Sequence, residues 1–249
     1  MMLEKGVFAM GSADQEKFLI SNYLVEDVRN TALKVAINEG WYKQHWLGTP
    51  LWQLPEDLIF LQTIISTIKP SLIIETGTKY GGSALFFASI LTLLELTSSR
   101  IVTIDITETS EALELLPHNR LTKDRVKRII GSATDIHVLE QVNKEVSETQ
   151  GPVIIFLDDW HGGEHVLEEI NLYQAWVGLD GLLIVADTSF ADLAGTPIAP
   201  YRSLLTSNPR TAINKFLESG VSFCRSDRFK PMGLSNFSDG VLERIQILT

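Results

Sequence analysis

The stretch Ser71-Leu-Ile-Ile-Glu-Thr-Gly-Thr-Lys-Tyr-Gly-Gly-Ser83 decides the fold. Leu72 to Glu75 reads as a buried apolar strand ending in an acid, and Gly77 and Gly81-Gly82 turn the chain into an apolar helix, Ala84-Leu-Phe-Phe-Ala-Ser-Ile-Leu91. Glycine lets backbone approach a ligand with no Cβ in the way. A helix N-terminus offers free N–H groups to an anionic or carboxylate-bearing guest. An acid beside such a turn can accept hydrogen bonds from an amine or a ribose. The combination points to a nucleoside-like cofactor, and S-adenosylmethionine (SAM) fits it best.

Working outward, short apolar strands alternate with helical segments. The strand candidates are Leu72–Glu75, Ile101–Asp105, Lys127–Ile130, Val153–Leu157 and Leu182–Ala186. Between and after them, helices are predicted near Ser83–Leu96, Glu108–Leu116, Thr134–Ser147, Glu164–Val177 and Pro209–Ser219. Near-continuous apolar strands belong to a parallel sheet covered on both faces, so the alternation predicts a doubly wound, Rossmann-like α/β fold. Val221–Phe223 and Val241–Ile247 are expected to add strands, as an antiparallel pair. Upstream, the spacing predicts a helix over about 16 to 40 and another from Pro55-Glu-Asp57 to Ile68. Trp41, Trp46 and Trp52 crowd the segment between them, either to anchor this arm or to wall a pocket. Residues 1–69 are therefore expected to form an N-terminal helical, aromatic arm packed on a 70–249 SAM-binding α/β domain, as one compact unit.

Ligands bind at the carboxyl ends of strands in such sheets. Glu75, Asp105, Gly131-Ser132, Asp158 and Asp187 all fall there. Asp105 stands where an acid accepts hydrogen bonds from both ribose hydroxyls of SAM or NAD. The glycines at 77, 81 and 82 do not keep the G-x-G-x-x-G spacing that a pyrophosphate requires. SAM carries no phosphate, and its ammonium suits Glu75. Ser132 and Ala133 lie where an adenine would rest. The plain alternative is that Glu75 and Asp105 only cap turns.

The candidate chemistry lies in Asp158-Asp-Trp-His-Gly-Gly-Glu-His165 and in Asp187-Thr188. Carboxylates at adjacent strand ends can share a hard cation, which would lower the pKa of a substrate hydroxyl. His161, three residues after Asp158, would take the hydroxyl proton, and the oxygen would attack the sulfonium methyl. His165 is the rival base, facing the same way if both histidines lie on a helix. The plain alternative has Asp158 capping a helix and His161 as an ordinary loop residue. The acceptor pocket would be built from the aromatic arm, the Ser189–Asn208 loop and the Phe229 to Phe237 segment, with that loop as a lid or a simple surface excursion.

Composition narrows the classes. With 31 acidic against 21 basic residues the formal charge is −10, which argues against a nucleic-acid groove or an anionic membrane surface. The single cysteine, Cys224, excludes an intrachain disulfide and suits a reducing cytoplasm. The N-terminus lacks a basic start followed by a sustained apolar core, so it does not read as secretory. Ala84 to Leu96 is too short to cross a bilayer.

The arm from Tyr42 to Asp57, the Glu75–Ser83 turn, the Asp158-x-x-His161 pair and Asp187-Thr188 together resemble the cephalosporin hydroxylase/rhamnosyl O-methyltransferase family over about residues 20–247. The resemblance implies SAM binding and methylation of a hydroxyl on a sugar or other small natural product. By it, Glu75, Gly77, Tyr80, Ser83 and Asp105 surround SAM. Thr78 and Gly82 of the same turn, with Ser132 and Asp158 at neighbouring strand ends, complete the candidate cofactor set. Asp158 and Asp187 would hold Mg²⁺, with His161 as base. The resemblance, with the apolar arm, also implies a homo-oligomer. One departure stands out: the family usually shows Glu-Asp-Thr where this chain has Ala186-Asp187-Thr188. That leaves weaker metal affinity, substitution by Asp159 or no metal as alternatives. Trp160 also replaces a residue that is commonly small and polar or acidic. An oxidative hydroxylase, or a protein that binds SAM without transferring its methyl, are the competing functions.

Overall fold

The computed structural model describes residues 22–196, 199–231 and 234–246. Phe18, Leu19 and Ile247, which the helix and strand expectations included, lie outside them. The arm begins with α1 (Asn22–Glu39) and a two-stranded hairpin of β1 (His45–Trp46) and β2 (Thr49–Pro50). Helix α2 (Pro55–Ile68) follows, with Pro55 in its first turn, where a missing N–H costs nothing.

The body is a seven-stranded sheet. In chain order its strands are β3 (Leu72–Thr76), β4 (Arg100–Asp105), β5 (Val126–Ile130), β6 (Val153–Leu157), β7 (Leu182–Val185), β8 (Phe223–Arg225) and β9 (Val241–Arg244). Across the sheet the order is β5-β4-β3-β6-β7-β9-β8. The first five run parallel; β9 pairs antiparallel with β7, and β8 with β9. The doubly wound α/β expectation and the antiparallel pair are borne out. The first predicted strand of that pair is displaced: it covers Phe223–Arg225 rather than Val221–Phe223.

The helices are α3 (Gly82–Leu93), α4 (Ser110–His118), α5 (Ile136–Ser147), α6 (Gly163–Tyr173), α7 (Phe190–Leu193) and α8 (Pro209–Glu218). Helix α4 starts two residues later than expected because Thr109 caps it, its side chain accepting from the Ala112 N–H. Helix α6 stops at Tyr173 and passes into a 3₁₀ turn, Gln174–Trp176, short of the Val177 end read from the sequence.

Two apolar layers sandwich the sheet. One joins strand residues such as Ile155 and Leu183 to Val142, Ile170 and Phe216. The other joins Ile73, Ile154 and Phe156 to Phe86 and Phe87 of α3 and to Leu61, Ile64 and Ile65 of α2. The arm therefore supplies part of the core. Trp46 anchors it, donating from Nε1 to Ser89 Oγ at 3.1 Å and packing edge-on against Phe86. Phe229 and Phe237 are buried in this second layer, so they pack the core rather than lining the pocket expected of their segment.

No helix among the described residues is long and apolar enough to cross a membrane.

Candidate active site

The parallel strands end together, as the doubly wound topology requires, and a cavity of about 770 Å³ opens above their carboxyl ends. Gly77, Tyr80, Asp105, Ser132, Ala133, Asp158, His161 and Asp187 all line it. Gly77 has a positive φ of 92°, and a Cβ there would collide with the Asp158 carbonyl, so no other residue fits this crossing of β3 and β6. Asp105 is held from both sides: Oδ2 accepts the Lys79 N–H at 2.8 Å, and Oδ1 accepts the Thr107 N–H at 3.0 Å. Oδ1 also accepts from the Thr107 hydroxyl at 3.2 Å, so Oδ2 is the oxygen that keeps a second lone pair for a guest.

Thr78, Gly82 and Ser83 do not reach the main cavity. They border a small pocket beside it, with Pro50, Trp52 and Gln53. Glu75 lies deeper still. It is fully buried, its Oε2 accepts from Thr103 Oγ1 at 2.6 Å, and its Oε1 has no well-formed hydrogen bond. Burial raises its pKa to about 7, against the pull of the Ser83 and Thr103 hydroxyls. The acid that the sequence offered to an ammonium is thus a carboxyl beneath the floor.

Asp158 and His161 stand on the loop between β6 and α6. His161 lies before the helix starts at Gly163, so the two histidines diverge. The His161 Nε2 is 3.0 Å from Asp187 Oδ2, and its ring sits 4.2 Å from that of Phe190. His165, inside α6, turns its Nε2 to Asp159 and Glu169. Asp158 Oδ2 accepts from Gln53 Nε2 at 2.6 Å. Burial, then the charge of Asp187, pushes the Asp158 pKa well up, while Lys79 opposes it. Lys79 has its ammonium 3.1 Å from the centre of the Trp52 ring; burial lowers its pKa, and Asp158, Asp187 and Asp105 counter that.

Sequence reading missed the support behind Asp187. This residue has a positive φ of 55°, a strained conformation for a non-glycine residue. Its Oδ1 accepts from Asn236 Nδ2, and the Asn236 backbone N–H donates to buried Asp57 at the start of α2. Asp57 has its pKa raised to about 7, chiefly by burial. Nothing in the local sequence joins positions 57, 187 and 236. Trp41 and Trp52 line the cavity while Trp46 anchors, so the crowded tryptophans divide between both expected roles. From the Ser189–Asn208 loop, Phe190, Ala199, Tyr201 and Leu204 line it as well, though 197 and 198 lie outside the described residues.

Ligand atoms of Asp158, His161 and Asp187 lie within 4.8 Å of one another, a donor set that suits a divalent cation. Asp159 does not join them, because its carboxylate faces His165.

A family model described as rhamnosyl O-methyltransferase/CmcI matches residues 38–245. The rhamnosyl O-methyltransferase of Mycobacterium tuberculosis is 32% identical over 163 residues, covering 66% of this chain and 63% of that protein. Its Mycobacterium leprae counterpart is 29% identical over the same length. The match thus spans less than two thirds of the first relative. Among solved structures, CmcI with Mg and SAM superposes with a TM-score of 0.64 at 15% identity, over 83% of this chain and 78% of that one. CalS11, a TDP-rhamnose 3'-O-methyltransferase, gives 0.52 at 14%, over 90% and 95%. These likenesses establish the fold, and the family model settles the lineage: this chain belongs to the rhamnosyl O-methyltransferase/CmcI family.

Proposed function

We propose that this protein is a SAM-dependent O-methyltransferase acting on a hydroxyl of a sugar or other small natural product, with His161 as general base and a divalent cation such as Mg²⁺ assisting. The observation that carries the reading is the His161–Asp187 pair, 3.0 Å apart, in the wall of a cavity that also holds Gly77, Asp105 and Ser132. Bound SAM would supply an electrophilic methyl group, and the cation would polarise the acceptor hydroxyl.

The residues' own tasks follow. Gly77, Tyr80, Asp105 and Ser132 would hold the adenosyl portion, with Thr78, Gly82 and Ser83 shaping the turn beneath. Asp158 and Asp187 would hold the cation. Asp187 keeps the His161 Nε2 occupied, leaving Nδ1 to take the hydroxyl proton, and its carboxylate stabilises the imidazolium that results. The Phe190 ring fixes the imidazole plane. Trp160 and Tyr201, in edge-to-face contact at 5.7 Å, are placed to exclude water and grip the acceptor. A hydroxylase would call on two imidazoles and one carboxylate; here two carboxylates meet one imidazole, which favours the transferase.

Of residues 1–69, the described part from residue 22 onward would act as an arm on the body that begins at residue 70. The −10 charge supports a small-molecule acceptor over nucleic acid or a membrane, and the lone cysteine supports a cytoplasmic setting. Val28 and Val35, more than half exposed on α1, support self-association.

Calorimetry with the demethylated product of SAM tests cofactor binding, and transfer of labelled methyl to neutral rhamnosides tests the reaction. Folded protein that takes up neither SAM nor its product would end the proposal.

A further inference from the structure

Behind the cavity wall lies a second group of ligating side chains. Helix α6 places His165 and Glu169 one turn apart on the same face. Asp159 meets them from the loop after β6. The His165 Nε2 is 3.2 and 3.1 Å from the two Asp159 oxygens and 3.6 Å from Glu169 Oε2. One ligand atom from each residue lies within 4.8 Å of the others. An Asp–His ion pair accounts for part of this cluster; Glu169 joins it through His165, Asp159 and the Thr76 hydroxyl, and one of its oxygens is left over. That side chain is 1% exposed, and its Oε1 has no well-formed hydrogen bond. Two carboxylates and an imidazole gathered at one buried point, with one carboxylate oxygen lacking a well-formed hydrogen bond, is the arrangement a cation would complete.

We propose that Asp159, His165 and Glu169 form a second divalent-cation site, separate from the Asp158–His161–Asp187 group. One imidazole and two carboxylates suit a borderline transition ion, Zn²⁺ above all, better than Mg²⁺, which prefers an all-oxygen shell. Asp159 and His165 also line the cavity, so an ion held there has an entry path and room for a water ligand. Asp159 adjoins Asp158, and the same loop carries His161. The ion would therefore tie the catalytic loop to α6 and fix both groups from behind.

The test reads metal content, so it does not depend on methyl transfer. The full chain and an Asp187→Asn variant, which disables the first group, are equilibrated with Zn²⁺, freed of excess by gel filtration and assayed by mass spectrometry. Asp187→Asn is expected to retain one Zn²⁺ per chain. Adding His165→Gln should empty it, and adding Glu169→Gln should weaken binding by about tenfold or more. Circular dichroism checks each fold; if His165→Gln does not fold, the near-isosteric Glu169→Gln carries the test. Zinc lost with Asp187→Asn alone, or unchanged by both additions, would overturn the site.

Discussion

His161 has one ring nitrogen committed to Asp187, which leaves the other to meet an acceptor. Replacing it with alanine removes the base but none of the cofactor-facing glycines or acids. His161→Ala is therefore expected to lower kcat by ~10²–10⁴-fold, the usual worth of general-base help, with affinity for the SAM product nearly unchanged in calorimetry. Glu75 makes a different prediction, about pH. Its carboxyl has a pKa raised from 4.5 to about 7 by burial, so the folded chain holds a proton there that the unfolded chain releases. The stabilising share is complete below about pH 4.5 and is lost as pH rises through 7. Glu75→Gln mimics the protonated form. Its melting temperature relative to the parent should climb between about pH 5 and 8; a constant difference would show that Glu75 does not titrate there.

The element that decides the site is the end of β7, where Asp187 is held in its left-handed conformation by the segment before β9. Asn236 bridges the two: Nδ2 donates to Asp187, and Oδ1 accepts from Ser189. Asn236→Ala strips both partners inside a buried pocket. The expected cost is about 1–3 kcal/mol in urea unfolding, with kcat falling more than the acceptor KM as His161 loses its anchored partner. Equal stability and an intact kcat would mean that Asp187 holds its pose unaided. This bridge also marks where sequence reading ends. Apolar runs ending in Asp105, Asp158 and Asp187 are local signals, so strands and strand-end acids were legible from period and composition alone. Asn236 and Asp57 act across long separations in the chain, and no pattern in either neighbourhood announces a partner. Glu75 was misplaced for a related reason: its depth depends on Thr103 of the next strand. The two histidines diverge because α6 begins at Gly163, a boundary that the Gly162-Gly163 pair blurs.

At the scale of the molecule, the arm is core as much as appendage. Leu61, Ile64 and Ile65 of α2 are at most 2% exposed and pack among Ile73, Phe86 and Phe87. Fully burying an aliphatic side chain is worth about 1.5–3 kcal/mol, so these three alone contribute roughly 5–9 kcal/mol. A whole domain is stable by only about 5–15 kcal/mol. Losing α2 would also remove Asp57, the acceptor for the Asn236 N–H and the Ser235 hydroxyl, and so release the segment that holds Asp187. A chain shortened to begin at Ser71 is therefore expected to lose cooperative unfolding and to bind a hydrophobic dye at 25 °C, with the sheet's outer apolar layer open to water. A sharp urea transition in that shortened chain, at the parent's midpoint, would show that the 70–249 body stands alone and that α2 merely rests on it.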